Sequence, residues 1–528
     1  MFSQQKRKPT LDIYCFWDGW LSGWRNLPIL TFVLILGFQT IGGNSFGNSA
    51  DSIATRVGDY GGSTNEDNSI PGGDDQQEPW VYYTQSGDTL ETIAARYQVR
   101  PQAIQVAYPV REDQLLDPGQ MLIIPRPVRN PPVIDQILPD YEVVYSPSVE
   151  GFDTQDYVSQ AGGFLSNHQE YMRSTGLTSG AEIVERVALE NSVHPRLLLA
   201  LLEYQCGCVL GSMVDGIEPG YLMGVDDPNR KGLYRQLGWV VNQLSLGYYG
   251  WRRGMLTDLA FQSEPAVHLP PDLNAGSVSI AYLFSRLYNR QGWDRAMDRQ
   301  DGFKMLHDSM FSGTWLVDRF DEPLFPPGLT QPNLILPFQR DREWGYTSGP
   351  HKAWETEGAL AALDFAPASE HFGCHRSDAW VVAVADGLVV RSEHGAVVLD
   401  LDGDGFEGTG WAVLYMHLES RQRVAEGTYL HQGDKIGHPS CEGGPADGTH
   451  VHIARKFNGE WIAADGPLPF VMSGWTAKAG FRPYEGSLVR GDQVVIANPL
   501  TPAEAFISLS SDDLMWNAKI SRNMWWEE

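Results

Sequence analysis

The chain has 528 residues, of which 42% are hydrophobic and 20% are charged, and its formal net charge is −27 at pH 7. A chain of this length is expected to form about three or four domains, each able to bury a core. The strong negative charge argues against nucleic-acid binding, because a phosphate backbone would repel it, and it disfavours tight binding to anionic lipid.

The first predicted element is an export segment over residues 1–43. A basic cluster precedes an apolar stretch from Leu27 to Ile41, which has the length of a signal-peptide core and is short for a membrane span. Residues 48–50 are a candidate cleavage site, so a cleaved signal and an uncleaved membrane anchor both stay open. Contact with a membrane is expected only through this segment. The Gly/Asn/Ser/Asp-rich residues 44–79 and, further on, the proline-bearing residues 127–150 predict linkers.

Residues 80–126 predict a small module of strands and helices. Asp88 or Thr89 can cap a helix in which apolar residues recur at helical spacing from Leu90 onward. A second helix is expected next. A closing strand then follows, because the apolar run at residues 122–124 is ended by a proline.

Two motifs give this module a family resemblance. It contains Ser-Gly-Asp-Thr-Leu at residues 86–90 and Pro-Gly-Gln-Met-Leu-Ile-Ile-Pro at residues 118–125, and it resembles the LysM domains, small βααβ modules that bind glycans containing N-acetylglucosamine. Tyr108-Pro109 departs from the Asn-Pro that is usual in the family. The resemblance implies that glycan binds at the loop after the second helix and at the loop after the first strand, near Gly87, Asp88, Thr89 and Leu90. The alternative is a LysM fold that no longer binds glycan.

Residues 151–338 predict a helical middle domain. Ser179 and Glu182 form a capping box at the start of one helix, and Pro195 suits the first turn of another. A third helix is predicted near residues 277–288. The middle domain is therefore expected to be all-α.

One of these helices has a faint family resemblance. Residues 195–203 resemble the helix that carries the catalytic glutamate of lysozyme-like transglycosylases, which would make Glu203 a general acid that cuts the glycan strand. Tyr204 stands where that family has serine, and no Gly-Leu-Met-Gln motif follows, so a structural or substrate-positioning domain is the favoured interpretation. Cys206 and Cys208 are left unassigned, because a bridge over so short a spacing would be strained and no further metal ligands lie nearby.

The C-terminal domain, residues 339–510, is expected to be an antiparallel β-rich domain followed by a tail at residues 511–528. Short β-branched runs at residues 381–384, 387–390 and 396–399 are separated by Asp-Gly and His-Gly turns. The whole chain is therefore expected to be a multidomain α+β protein.

An acidic turn follows the last of these runs. Asp400, Asp402 and Asp404 have the spacing that collects oxygen ligands around Ca²⁺. The twelfth position of an EF-hand loop should be a bidentate glutamate but is Trp411, and Glu407 cannot replace it without a different loop path. A calcium site and an acidic β-hairpin turn are both open interpretations.

Five residues of the C-terminal domain form a candidate hydrolytic metal site. His450 and His452 are two residues apart, so their rings share one face if the segment is a strand. A hydrolytic zinc site needs about three protein ligands and an open position for water. His351, Asp364 and His452 supply two imidazoles and a carboxylate. His417 and His450 are then left as acid/base groups.

The motifs around these residues carry a second resemblance. Gly-Pro-His at residues 349–351, Asp-Phe at 364–365, Tyr-x-His-Leu at 415–418 and Gly-x-His-x-His at 448–452 occur in the order found in the lysostaphin-type murein endopeptidases, above all in their β-lytic branch. The commoner branch has its first ligand four residues before the aspartate, where this chain has Leu360. The resemblance implies the zinc-ligand and acid/base roles given above, and cleavage of peptide bonds in peptidoglycan.

Together these features predict an exported zinc endopeptidase that hydrolyses peptide bonds in the stem peptides or crosslinks of peptidoglycan and is tethered to the glycan by its LysM module. An oxidising compartment would allow a disulfide between Cys374 and Cys441. Two alternatives stay open: a non-catalytic wall-binding regulator of other hydrolases, and a glycan-cleaving enzyme that acts through the middle domain.

Overall fold

The computed structural model describes residues 79–125, 134–311, 323–340, 342–354, 356–369 and 371–510. The predicted export segment, nearly all of the first linker and the C-terminal tail lie outside these ranges. Within them, no helix combines the length and the apolar character needed to cross a membrane. The described parts belong to one compact unit, so contacts between them define the arrangement that follows.

The first part is a small two-stranded module with one α-helix. Its elements are β1 (Trp80–Tyr83), α1 (Leu90–Tyr97) and β2 (Met121–Ile124), with the two strands antiparallel. Thr89 caps α1 through a capping box, in which its hydroxyl accepts from the Thr92 backbone N–H at 3.2 Å and the Thr92 hydroxyl accepts from the Thr89 N–H. The predicted second helix is reduced to a 3₁₀ turn at Pro101–Ala103, because the chain then leaves helical geometry to pair Gln105 with Ile123.

The middle part is mainly helical but also contains two β-hairpins. Its elements are α2 (Thr154–Ala161), β3 (Gln169–Met172), β4 (Gly176–Ser179), α3 (Gly180–Asn191), α4 (Pro195–Cys206), α5 (Leu233–Arg252), β5 (Asp258–Phe261), β6 (Glu264–His268), α6 (Ala275–Leu287), α7 (Arg290–Ala296) and α8 (Phe303–Phe311). The all-α prediction is therefore wrong in this respect. Both hairpins are short and lie at the surface, and residues with positive φ, Gly176 and Ser263, sit at their turns, which is the geometry that tight hairpins require.

The helix starts that the sequence predicted are present. Ser179 accepts from the Glu182 backbone N–H at 3.2 Å, and the Glu182 carboxylate accepts from the Ser179 N–H at 2.7 Å. Helix α4 begins at Pro195, where a missing N–H costs nothing because the first turn has no helical acceptor. The apolar run from Leu197 to Leu202 is completely buried, so α4 is the central helix of the middle part.

The C-terminal part is built on antiparallel strands. They are β7 (Glu343–His351), β8 (Ala362–Pro367), β9 (Val381–Val382), β10 (Gly387–Glu393), β11 (Ala396–Asp400), β12 (Trp411–Met416), β13 (Tyr429–Leu430), β14 (Lys435–Gly437), β15 (Val451–Phe457), β16 (Glu460–Trp461), β17 (Val471–Met472), β18 (Trp475–Ala479), β19 (Gly486–Arg490), β20 (Gln493–Ile496) and β21 (Phe506–Ser508). The main sheet has the order β13-β10-β11-β12-β15-β8-β7-β21, with β16 beside β15. A second sheet has the order β17-β18-β19-β20. The predicted strands correspond to β9, β10 and β11.

The register of the main sheet brings the candidate site residues to its centre. Asp364 on β8 lies directly opposite His452 on β15, and Met416 on β12 is the partner of His452 on the other side. The pairing of β7 with β8 shifts register before His351, the last residue of β7. This irregularity lets His351, at the end of its strand, approach Asp364 and His452.

Candidate metal centre

Three of the predicted site residues converge on one point of the main sheet. His351 Nε2 lies 3.0 Å from His452 Nδ1, and each of these nitrogens lies 3.2 Å from Asp364 Oδ1. All three side chains are buried. Two nitrogens and one carboxylate oxygen at mutual distances this short form a donor set of the kind that holds a metal ion.

The backbone orients both imidazoles towards that point. His351 Nδ1 donates to the Gly349 carbonyl at 2.8 Å, and His452 Nε2 donates to the Ala353 carbonyl at 2.9 Å. A carbonyl can only accept, so the proton of each neutral ring lies on the nitrogen that faces away from the cluster. The nitrogens facing the cluster are then lone-pair donors, and Asp364 Oδ1 is a buried oxygen without a hydrogen-bond partner. Three acceptors face one another, an arrangement that a cation would stabilise.

The electrostatics of the cluster agree with that geometry. Burial alone would raise the pKa of Asp364, but the neighbouring His351 and His450 hold it well below its usual value. Burial opposes the charged form of His351, yet the Asp364 carboxylate raises the pKa of His351 overall. Burial lowers the pKa of His452. The carboxylate therefore stays ionised in the interior, where it needs a positive partner.

The two predicted acid/base histidines lie beside the cluster. His417 Nδ1 donates to the Glu442 carbonyl at 2.9 Å, and His450 Nδ1 donates to the Gly448 carbonyl at 2.7 Å. Their ring centroids are 4.4 Å apart, and His450 Nε2 lies 3.9 Å from Asp364 Oδ1. With Nδ1 of each ring used as the donor, Nε2 is the nitrogen that faces away from the backbone.

His417 occupies a special backbone position and a special environment. Its φ of 62° is in the left-handed region, which turns the chain out of the sheet directly after β12 ends at Met416. Burial, together with the neighbouring His450 and His452, lowers the pKa of His417 to about 3. The ring is therefore neutral at physiological pH.

Tyr484 is a site residue that the sequence did not reveal. Its ring stacks on His351 with centroids 4.6 Å apart and planes 22° apart, and the side chain is more than half exposed. Two backbone hydrogen bonds fix this contact, from the Gly349 N–H to the Tyr484 carbonyl at 2.7 Å and from the Tyr484 N–H to the Pro350 carbonyl at 3.2 Å. Burial and the Asp364 charge raise the pKa of Tyr484. The loop between β18 and β19 carries no motif of the kind that identified the other site residues.

A disulfide joins Cys374 to Cys441, next to the segments that contain His417 and His450. Beside Cys374, the Thr449 hydroxyl donates to the His375 carbonyl at 2.6 Å and accepts from the His375 N–H at 2.8 Å. Thr449 immediately precedes His450. Beside Cys441, the Glu442 carbonyl is the acceptor that orients His417. The bridge thus ties together the two segments that hold these histidines.

Glu203 lies on α4 in the middle part and has its own hydrogen-bond partners. Its Oε2 accepts from the backbone N–H groups of Val209 and Leu210 at 2.8 and 2.9 Å. The loop held in this way contains a disulfide between Cys206 and Cys208, the pair that the sequence left unassigned. Their Cα atoms are 5.1 Å apart, which the tight turn after α4 makes possible. Glu203 thus closes a loop at the end of its helix.

The three acidic residues of the predicted calcium loop gather at one end of the β11–β12 hairpin. Asp400 accepts from the backbone of Asp402 and of Gly405, and Asp404 accepts from the Phe406 N–H and the Thr409 hydroxyl. The carboxylates therefore accept hydrogen bonds from backbone N–H groups and a hydroxyl of the turn itself. Nothing in this arrangement supports calcium, and the acidic-turn interpretation accounts for it.

The four LysM residues predicted to touch glycan are not exposed. Asp88 is completely buried, and its carboxylate accepts from the Tyr82 hydroxyl at 2.6 Å and from Arg96 Nη1 at 2.7 Å. Thr89 and Leu90 are also buried, and Gly87 is half-buried. Asp88 and Thr89 therefore shape the loop from within.

Comparison with known families identifies two parts of the chain. Residues 82–125 match the LysM domain, which confirms the resemblance drawn from the motifs. Residues 136–324 match the family described as LasA, N-terminal domain. The middle part, where the sequence suggested a faint lysozyme-like resemblance, thus matches a different domain family.

Curated relatives and solved structures were also found. The chain is 24% identical over 341 residues to Protease LasA of Pseudomonas aeruginosa PAO1, covering 61% of this chain and 74% of that protein, and 23% identical over 359 residues to Protease LasA of strain UCBPP-PA14. Structural similarity was found to the M23 metalloprotease pseudoalterin from the deep sea. The match has 22% sequence identity and a TM-score of 0.27, and it covers 31% of this chain and 95% of the other. The catalytic domain of lysostaphin from Staphylococcus simulans is 23% identical, covers 24% of this chain and 90% of its own, and has a TM-score of 0.18.

Proposed function

We propose that the protein is an exported zinc metalloendopeptidase that hydrolyses peptide bonds of peptidoglycan, in stem peptides or crosslinks. The observation that carries this proposal is the cluster of His351, Asp364 and His452, whose facing atoms lie within 3.2 Å of one another with His417 and His450 alongside. The similarity to Protease LasA supports a peptidase.

The donor set fits zinc. Two imidazoles and one carboxylate leave a fourth tetrahedral position free, as hydrolytic zinc sites require, and both imidazoles are oriented by backbone carbonyls. Zinc held by His351, Asp364 and His452 would supply Lewis-acid polarisation of the scissile carbonyl and would acidify a water molecule. The orphaned Asp364 oxygen gives the site its negative charge.

The remaining residues carry the proton chemistry. His417 donates through Nδ1 to the Glu442 carbonyl and its ring centroid lies 6.1 Å from that of His452, so its free Nε2 is placed to take the proton of the attacking water. His450 Nε2, 3.9 Å from Asp364 Oδ1, reaches the same space and stabilises negative charge on the reacting oxygen when it carries a proton. The Tyr484 ring, stacked on His351, holds that ligand in place.

The LysM module gives the enzyme its location. LysM domains bind glycans that contain N-acetylglucosamine, so the module would hold the peptidase on its polymeric substrate and raise the local concentration of scissile bonds. A peptidoglycan substrate places the chain outside the cytoplasm, in the cell envelope or the medium. The partners are then peptidoglycan glycan and stem peptides, and nucleic acid is not one of them.

The test is mass spectrometry of the fragments released from purified peptidoglycan. Wild-type protein, chelator-treated protein and His452→Ala are compared, with His431→Ala as the matched control because its ring is exposed and lies in the same domain. New peptide termini that disappear with chelator and in His452→Ala, but persist in His431→Ala, are expected. Metal analysis should find about one zinc per chain in the control variant and a loss in His452→Ala.

Other outcomes identify the alternatives. Reducing or anhydro sugar ends that survive chelation would move catalysis to the middle part and to Glu203. Absence of any released fragment, with the protein still sedimenting with peptidoglycan, would favour a wall-binding regulator of other hydrolases.

A further inference from the structure

The first glycan-binding loop of the LysM module is covered by the rest of the chain. This loop, residues 84–89 between β1 and α1, makes hydrogen bonds to two distant segments. Gln85 Nε2 donates to the Asp272 carbonyl at 2.8 Å, and the Ser86 hydroxyl accepts from the Phe325 backbone N–H at 3.1 Å. The Gln85 amide and the Ser86 hydroxyl, which could otherwise form hydrogen bonds with a sugar, are thus engaged by protein.

The second loop is engaged as well. It precedes β2, and in it Asp117 Oδ1 accepts from the Gly328 backbone N–H at 2.7 Å. The Leu115 side chain packs against the hydrophobic core of the middle part. Both loops to which the LysM resemblance assigns glycan binding therefore contact other parts of the chain, although Arg111 and Asp113 of the second loop are exposed.

One buried arginine stands at the centre of this contact. Arg252, the last residue of α5, donates through Nη1 to the Ser86 carbonyl of the LysM loop. Its Nη2 donates to Asp140 at 2.9 Å, and its Nε and Nη2 donate to the two carboxylate oxygens of Glu460 at 3.0 and 2.8 Å. A Cβ at Gly87 would lie only 3.0 Å from Arg252 Nη1. A single guanidinium thus connects the LysM loop, the middle part and the peptidase strand β16.

Helix α1 of the module is held by the same region. The Arg96 guanidinium lies over the Trp251 ring, 4.8 Å from its centroid, and donates to the Trp251 carbonyl at 3.3 Å. A Cβ at Gly254 would lie 3.0 Å from the Ala95 Cβ. In contrast, Tyr83 and Met121 on the open face of the β1–β2 pair are more than half exposed. The side of the module that is buried is the loop side.

We infer that the intact chain holds its LysM module in a masked state, in which the surface around Arg252 covers the first glycan-binding loop, other segments contact the second, and a glycan containing N-acetylglucosamine binds only after the module has left that surface. The inference rests on the proposed function, because it takes glycan as the ligand of the module. If only a small fraction of molecules is unmasked, the apparent affinity for glycan falls in proportion to that fraction. A chain unmasked in about 1% of molecules would bind roughly a hundredfold more weakly than its free module.

The first test weakens the contact in the full-length protein. Arg252→Lys keeps a cation between Asp140 and Glu460, so the fold is retained, but an ammonium group cannot also reach the Ser86 carbonyl with the same geometry. Arg253→Ala is the matched control, because Arg253 is exposed and its replacement also removes a positive charge at the end of the same helix. The probe is the N-acetylglucosamine hexamer, measured by calorimetry.

Arg252→Lys should bind the hexamer at least about tenfold more tightly than wild type, and Arg253→Ala should bind like wild type. Equal, measurable binding by all three proteins would overturn the masked state and leave glycan binding intact. If none of the three binds, glycan binding by the module and its masking are both wrong, while the peptidase test above is unaffected.

The second test locks the contact. Ala95→Cys combined with Gly254→Cys places two Cβ atoms 3.0 Å apart, closer than the roughly 3.5–4.5 Å of a disulfide, and Gly254 has φ 64°, so the bridge forms only after a small local shift of the backbone. The oxidised protein should lose binding of the hexamer, and reduction should restore it, with wild type under the same reductant as control. Binding that is the same in the oxidised and the reduced protein would contradict the inference, whatever the behaviour of Arg252→Lys.

Discussion

Replacing Glu407 by glutamine should destabilise the C-terminal part, because this carboxylate neutralises two buried cations. Glu407 accepts from Arg391 Nε and Nη2 at 2.9 and 3.0 Å and from Lys456 Nζ at 2.7 Å. Each of the three side chains is less than 9% exposed, so water cannot replace a missing partner. Removing one member of a buried ion cluster typically costs about 3–5 kcal/mol, since the other charges stay buried and unpaired.

The same cluster predicts a dependence of stability on pH. Burial would raise the pKa of Glu407, but Arg391 and Lys456 outweigh it and lower the pKa from 4.5 to about 2. A carboxylate with a lowered pKa in the folded state contributes stability above its unfolded pKa and loses that contribution as the pH falls. The gap from 4.5 to about 2 is worth roughly 3 kcal/mol at neutral pH, and this is lost between those two values.

Differential scanning calorimetry of the full-length protein between pH 2.5 and pH 7 measures both effects. A loss of about 3 kcal/mol should lower the transition of the C-terminal part by roughly 6–12 °C at pH 7, and the difference between wild type and Glu407→Gln should shrink as the pH approaches 2.5. Glu419→Gln is the control, because Glu419 pairs with Arg421 in a position that is partly open to solvent. Equal transition temperatures for wild type and Glu407→Gln, or a difference that does not change with pH, would refute the reasoning.

Three further predictions concern the site and the middle part. Replacing Cys374 and Cys441 by serine should lower kcat/KM for peptidoglycan peptides about tenfold at temperatures well below unfolding, because the disulfide no longer holds together the segments that contain His417 and His450. Unchanged kinetics would contradict this prediction. Glu203→Ala should leave the released fragments unchanged but lower the free energy of unfolding by about 2 kcal/mol in denaturant titrations, since two backbone N–H groups lose a charged acceptor; loss of sugar ends would instead indicate a catalytic acid. Tyr484→Ala should weaken zinc binding up to about tenfold in chelator competition, whereas Tyr484→Phe keeps the ring and should bind like wild type; equal weakening in both would assign the effect to the hydroxyl.

Local patterns in the sequence predicted a large share of the architecture. The capping box at Ser179 and the proline start at Pro195 are local signals, because they depend on hydrogen bonds within one turn, and both helices begin there. The β-branched runs that became β10 and β11 are likewise readable from composition and turn residues. The two hairpins of the middle part were missed, because short surface strands bury too little to leave a clear apolar pattern.

The sequence also named the residues of the candidate site, because their motifs are short and stand in a recognisable order. It could not supply their distances. That His351, Asp364 and His452 meet within 3.2 Å depends on strands that are far apart in the chain and adjacent in the sheet. The stacking of Tyr484 on His351 has the same origin, since a loop from the second sheet reaches across to β7.

The sequence identified the LysM module, but only the tertiary structure revealed which surface covers it. The motifs around Gly87 identified the module and its two glycan loops, because a domain fold is encoded within its own segment. Only the tertiary structure decided that the first of these loops faces Arg252 and not solvent. The contact joins residues more than 160 positions apart, and it is formed by burial and charge pairing between separate parts of the chain, for which no local pattern exists.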